Sequence, residues 1–320
     1  MGFEFNKDWL GAYPSPTDFR DYRLARLTNV ELGHAEEFMP DFIPDPKWRY
    51  QGMIGACVGL AVKVLRELQQ YKENGIYKSL SSGYQYANRL LEHHQGEGWY
   101  VREALEMAKL QGSILNADFG LLTFYSQLKD LITDEMKELG KQRRIEKYAQ
   151  IYNKNEIMTA IEKFGGVIVT FPVTDSYKYN DGVIEKPEGE AIEGYHATLL
   201  VGWKGNKEGE DLYWYQLNWW GSNWGANGDA WIAEDFPFIE YWTATDLPDE
   251  EADPNLEHYY IIPIDGDEII DTEHGDIIKT DVPAQIVDGR TVLPIRIVAE
   301  LLGFRVAYDK QTRSVFIPKK

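Results

Sequence analysis

Cys57 is the only cysteine in a chain of 320 residues, and its surroundings are those of a nucleophile. The stretch Gln51-Gly52-Met53-Ile54-Gly55-Ala56-Cys57 is a glycine-containing turn that runs into an apolar-periodic segment. Cys57, Leu60, Ala61, Val64, Leu65 and Leu68 recur with helical spacing, which predicts a helix with Cys57 in its first turn. Unpaired amides and the positive end of the helix dipole favour the thiolate there, which is the reactive form. A lone cysteine can equally be a buried structural thiol, so its partners must decide. Glu193-Gly194-Tyr195-His196-Ala197 leads into the apolar run Leu199-Leu200-Val201, which reads as a buried strand with His196 at its start. Asn218, ahead of a Trp- and Gly-rich segment, can accept a hydrogen bond from the His196 ring and fix its tautomer. Trp220 and Trp224 are expected to cover that bond from water, which strengthens it.

These motifs resemble the papain-like (family C1) cysteine peptidases. Gln51 stands six residues before Cys57, as in that family's Gln-Gly-x-x-Gly-x-Cys stretch. His196-Ala197 matches its His-Ala step, and Asn218 to Gly228 matches its Asn-x-Trp-Gly-x-x-Trp-Gly-x-x-Gly run without a gap. The resemblance implies Cys57 as nucleophile, His196 as acid/base, Asn218 as orienter and Gln51 as side-chain donor to the oxyanion. The Cys57 amide would be the second donor. Substrate contacts are expected from Gly55, Gly98, Trp99, Tyr195, Ala197 and Trp220, whose composition hints at an apolar or aromatic side chain before the scissile bond. The family's usual disulfide cysteine before the nucleophile is Ile54 here, and its usual tryptophan after it is Val58. With one cysteine no intrachain disulfide can form, so packing must hold the cleft wall.

The implied architecture is α+β: a two-lobed papain-like fold over residues 35–248, preceded by an extension, 1–34. A linker or bridging strand, 249–264, leads to a small C-terminal α/β domain, 265–320. In that domain Asp288-Gly289-Arg290 and Asp309-Lys310-Gln311-Thr312 each read as hairpin turns, with a helix over Ile295–Leu302 between them. Val287–Arg296 followed by Leu302-Gly303-Phe304 resembles the copper amine oxidase N-terminal-like domain, thought to serve attachment or interaction; a passive stabilising appendage is the alternative. Residues 265–320 hold one histidine and no cysteine, so no copper ligand set is expected.

Length suggests about two domains. A formal charge of −19 disfavours nucleic acid, since a phosphate backbone would be repelled, and favours basic partners. No stretch reaches the length of a membrane span. Met1 to Asp8 lacks the basic and apolar regions of a secretory signal, which suggests a protein cytoplasmic as made, or released by a non-signal route to a phage particle or cell surface. The remaining histidines lack partners at ligand spacing, so neither a metal site nor a cofactor is expected. Pro14, Pro16, Pro40, Pro44 and Pro46 make the stretch before Cys57 extended, so a short N-terminal tail is the most that would restrain the enzyme. Two other functions fit part of the pattern: a Cys-His amidase or transglutaminase, and a structural or adhesive protein on a protease fold. The first usually pairs His with Asp, and the second would not need an intact Gln51, Cys57, His196 and Asn218.

Overall fold

Cys57 opens the central helix, α1 (Cys57–Asn74), which ends where Gly75 adopts a left-handed conformation and donates its amide to the Tyr71 carbonyl. The computed structural model describes residues 3–18, 21–89, 98–119 and 132–245, and beyond them only short strands between 260 and 316. The chain divides into two compact units, Met1–Thr17 with Asp21–Glu250, and Asp18–Arg20 with Glu251–Lys320.

In the first unit a short strand β1 (Ala12–Tyr13) precedes α1, and α2 (Ser82–Ala87), β2 (Trp99–Tyr100), α3 (Val101–Leu110) and α4 (Asp134–Gly140) follow it. Then come β3 (Lys147–Gln150), α5 (Lys154–Phe164), β4 (Val167–Val173), α6 (Asp175–Lys178) and β5 (Val183–Ile184). The unit closes with β6 (Gly194–Lys204), β7 (Tyr213–Leu217), β8 (Asp229–Ala233) and β9 (Glu240–Thr245). Seven of these strands form one sheet in the order β3-β9-β4-β6-β7-β8-β5, antiparallel except where β5 meets β8.

Side chains alternate across a strand, and the sheet uses both faces. Ile168, Ala197, Leu199, Val201, Trp242 and Ala244 pack with α1, α2 and α3 in one core. Val167, Val169, Phe171 and Leu200 face a second core with α5, Trp203, Trp214 and Ile232. Helix α1 is buried nearly all round from Cys57 to Gln69, as a helix at the centre of a domain should be. Its charged residues are paired: Lys63 sits 2.9 Å from Glu67 and donates to the Trp48 carbonyl. Where the disulfide is missing, Ile54 is buried in the first core, so packing does hold that wall. The α+β class and the helix phase predicted from sequence are therefore observed.

In the second unit β10 (Tyr260–Ile261), β11 (Glu268–Asp271) and β12 (Ile277–Lys279) form an antiparallel sheet. Strand β13 (Gln285–Val287) pairs with β14 (Arg290–Val292), and β15 (Ala307–Asp309) with β16 (Ser314–Phe316). Both predicted hairpins are thus paired, and the segment considered as a bridging strand pairs within this unit. The helix expected over Ile295–Leu302 lies outside the described residues.

Candidate active site

The catalytic candidates come from three places: the fold bonds His196 to Asn218 and sets the Ala197 amide, next to His196, against Cys57, while His196 Nδ1 makes no hydrogen bond to the Cys57 sulfur. Cys57 is the first residue of α1, His196 is the third residue of β6, and Asn218 follows the last residue of β7. His196 Nε2 lies 2.8 Å from Asn218 Oδ1. That oxygen also accepts from the Trp219 amide at 2.7 Å. An amide oxygen only accepts, so Nε2 carries the ring proton and Nδ1 is left as the basic nitrogen. Nδ1 makes no hydrogen bond. Trp220 lies over the imidazole with ring centroids 4.6 Å apart, while Phe171 and Tyr177 meet it edge-on. Trp224 packs against Trp220 and Tyr177, the rings that meet the imidazole.

The Asn218 turn is anchored from the other side of the groove. Arg49 donates to both carboxylate oxygens of Asp229, at 2.7 and 3.1 Å, and to the Asn218 carbonyl at 3.2 Å. The Gln51 amide donates to the Trp219 carbonyl at 2.9 Å. One buried bidentate ion pair therefore ties the loop before Cys57 to the loop that orients His196. Charge spacing in the sequence gives no hint of it, since the partners are 180 residues apart.

The groove is filled by the chain's own N-terminal segment. Gln51 Nε2 donates to the Trp9 carbonyl at 2.9 Å and to the Ile54 carbonyl at 2.6 Å. Trp9 Nε1 donates to the Gly52 carbonyl at 2.7 Å, and its ring stacks 5.4 Å from Trp220. Phe3 and Phe5 add further rings to that stack. Gly11 is pressed against Gly55, where any side chain would collide with the Gly55 carbonyl oxygen. Strand β1 pairs in parallel with β2, and the Trp99 amide donates to the Gly11 carbonyl at 2.9 Å. Further on, Arg102 donates to the Ser15–Pro16 region and pairs with Asp21 at 2.7 Å. Nothing in the hydropathy pattern of residues 3–17 announces this role; the aromatic cluster Phe3, Phe5 and Trp9 is its only sequence trace.

Cys57 and His196 are consequently sealed from solvent. The expectation of a depressed thiol pKa is corrected in this state. Burial pushes the Cys57 thiol up to about 11, although the amides of Ala197, Gly11 and Val58 act in the opposite direction. Desolvation holds the His196 imidazole down to about 4, against Asn218 and the Trp9 backbone. In a dry site neither member of the pair can afford a charge.

Of the expected substrate contacts, Gly55, Gly98, Trp99 and Trp220 all touch the N-terminal segment. A side chain at Gly98 would run into the Tyr13 ring. Trp99 does so through its backbone amide, while its side chain is wholly buried in a core that includes Ala12. Ala197 lies against Cys57, and Tyr195 is half-buried at the same strand end.

His34 departs from its reading as unpartnered. Its Nδ1 is 3.0 Å from Glu162 on α5, and Nε2 meets the Glu31 carbonyl at 3.1 Å. Ligand atoms of Glu31, His34 and Glu162 thus lie within 4.8 Å of one another, a grouping the sequence reading did not expect. Among the described residues no helix is long and apolar enough to cross a membrane.

Comparison with known proteins bears on family and fold. Residues 48–237 match the papain family cysteine protease profile, and residues 259–317 match the copper amine oxidase N-terminal domain. Testin-2 of Mus musculus is 31% identical over 240 residues, spanning 69% of this chain and 68% of that protein. Cathepsin B-like protease 1 of Arabidopsis thaliana is 39% identical over 74 residues, 23% of this chain and 19% of that protein. Xylellain, a cysteine protease from Xylella fastidiosa, superposes with a TM-score of 0.62 at 18% identity, covering 76% of this chain and 98% of its own, which shows a common fold. The chain belongs to the papain family of cysteine proteases.

Proposed function

We propose that this cysteine peptidase is an endopeptidase working through Cys57, His196 and Asn218, with Gln51 and the Cys57 amide receiving the oxyanion. The observation that carries this reading is the His196–Asn218 bond of 2.8 Å, which leaves Nδ1 as the free base. When the groove is open, His196 Nδ1 takes the Cys57 thiol proton, the thiolate attacks the peptide carbonyl, and that proton passes to the leaving amine as the C–N bond breaks. Water activated by His196 then hydrolyses the thioester. Removing an oxyanion donor from such a site typically costs about 10²–10³ in turnover.

The N-terminal segment holds the enzyme closed and is itself poorly placed for cleavage. The leaving amine must depart beside His196 and Trp220, so a substrate runs from the β2 edge toward Trp220. The segment runs the other way, from Trp9 on Trp220 to Tyr13 beside β2. Activity therefore follows displacement or removal of residues 3–17. The C-terminal unit serves attachment to a surface or particle, a role that fits a module appended to a complete protease.

Labelling with a thiol-directed epoxide, followed by peptide-library hydrolysis, tests the reading. Labelling confined to Cys57, and loss of all hydrolysis in Cys57→Ala with an unchanged melting temperature, is the expected result. Near-parental hydrolysis by Cys57→Ala overturns it.

A further inference from the structure

We propose that Glu31, His34 and Glu162 bind a divalent metal ion of the zinc class, and that the ion ties the loop around His34 to α5. Glu31 and His34 lie three positions apart, whereas Glu162 is 128 residues beyond His34, so no ligand spacing shows along the chain. The loop meets one face of α5, where Thr159 and Glu162 stand three residues apart. The Glu31 amide donates to the Thr159 hydroxyl at 3.1 Å. Trp203 meets the His34 ring edge-on, and Asn206 donates to the His34 carbonyl at 3.3 Å. The His34 side chain is thereby held in place and is only 1% exposed.

Two acceptors facing one another point to the cation. His34 Nε2 meets the Glu31 carbonyl at 3.1 Å, an oxygen that only accepts, so Nε2 carries a proton. The neutral ring then turns the bare lone pair of Nδ1 on Glu162 Oε2, 3.0 Å away. Such a pair is satisfied by a proton on Nδ1 or by a metal ion bonded to both atoms. With bonds of about 2.0–2.1 Å a metal spans this gap near a right angle, and about 0.3 Å more opens it to the tetrahedral angle of zinc. A metal-bound imidazole commonly gives its other N–H to a backbone carbonyl, the bond that Nε2 already makes. Glu31 supplies the third ligand, since ligand atoms of all three residues lie within 4.8 Å of one another. Its side chain is 55% exposed and is free to close the remaining distance. Lys163 pairs with Glu31 Oε1 at 3.3 Å, but it also donates to the Thr28 hydroxyl and the Asn29 carbonyl. It therefore keeps partners when the Glu31 carboxylate turns to a metal. Lys72 gives its hydrogen bonds to the Glu162 and Lys163 carbonyls at the end of α5. One imidazole with two carboxylates suits zinc, whereas calcium and magnesium take oxygen ligands.

The test titrates the metal-stripped full chain with zinc chloride by calorimetry and follows its melting temperature with and without the ion. The chain carries Cys57→Ala throughout, so that the thiol cannot take the metal. His34→Ala and Glu162→Gln are then compared in that background, with calcium chloride as the second probe. Zinc should bind the parent and raise its melting temperature. Each variant should weaken that binding by at least about 100-fold, the upper end of what losing a mere hydrogen-bond partner of a ligand costs. Zinc binding that either variant leaves unchanged overturns the proposal, and so does calcium binding as tight as that of zinc. A parent that takes up no zinc also overturns it, and His34 and Glu162 then form an ion pair only. Should His34→Ala fail to fold, Glu162→Gln, which keeps the size of the side chain, decides. Neither readout involves hydrolysis, so the outcome is independent of the peptidase reading.

Discussion

The carbonyl of Trp9 accepts a 2.9 Å hydrogen bond from Gln51, so the side-chain donor assigned to a developing oxyanion is already in use. The ring of Trp9 meanwhile stacks on Trp220, the residue that roofs His196. One residue of the N-terminal segment thus engages the proposed oxyanion donor and the cover of the proposed base together.

Gln51→Ala is expected to leave the fold intact and to lower turnover by about 10²–10³ in protein whose groove has been opened. The same change also frees the Trp9 carbonyl. Cys57 labelling in the full chain should therefore quicken even as peptide hydrolysis falls. Measuring both rates on one preparation checks this, and equal loss of both would contradict the assigned role.

Gly11→Ala should open the groove without any cleavage. The added methyl meets the backbone oxygen of Gly55, which cannot swing aside as a flexible side chain can. The segment must shift, and its hydrogen bonds from Gln51 and Trp99 are lost with it. The expected outcome is faster epoxide labelling of Cys57 in uncut protein, read by intact mass. Labelling no faster than in the parent would show that the segment does not control access.

Closure should weaken in acid and again in alkali. The buried imidazole stays neutral down to about 4, whereas an exposed one takes its proton near the ordinary 6.5. Protons therefore bind the open state preferentially below 6.5, and closure weakens progressively until about pH 4, by about 3 kcal/mol in all. On the alkaline side the buried thiol stays neutral up to about 11, while the opened one, placed to ionise at the helix start, gives up its proton at lower pH, so closure weakens again as the pH rises toward 11. Hydrogen exchange of the Gly11 and Tyr13 region across this range provides the check. Protection independent of pH would show that these two groups do not govern opening.

Arg49 and Asp229 should prove costly to separate and cheaper to replace together. Arg49 is wholly buried, and Asp229 nearly so. Removing one partner strands a buried charge, which costs about 3–5 kcal/mol, whereas an apolar pair of similar volume is often close to neutral. Burial raises the Asp229 pKa and Arg49 lowers it, so Arg49→Met should leave a carboxyl that takes a proton more readily. Denaturant unfolding of Arg49→Met, Asp229→Leu and the double variant measures the difference. A double variant as unstable as the sum of the two singles would remove the pairing from the account.

The family of this protein was legible in its sequence, and the chemistry proposed for it rests on residue types at short, fixed spacings. Gln51 and Cys57 share one turn and one helix start, His196 begins an apolar strand, and Asn218 heads a Trp-Gly turn whose glycines Gly221, Gly225 and Gly228 all take positive φ. Each of these requirements is local, so each leaves a local mark. The state of the site was not legible, because it depends on contacts made across the chain. That Trp9 seals Cys57 and that Arg49 anchors Asn218 both follow from distant segments meeting. Burial alone turns a cysteine placed to ionise into one held neutral, and burial is a property of the folded whole.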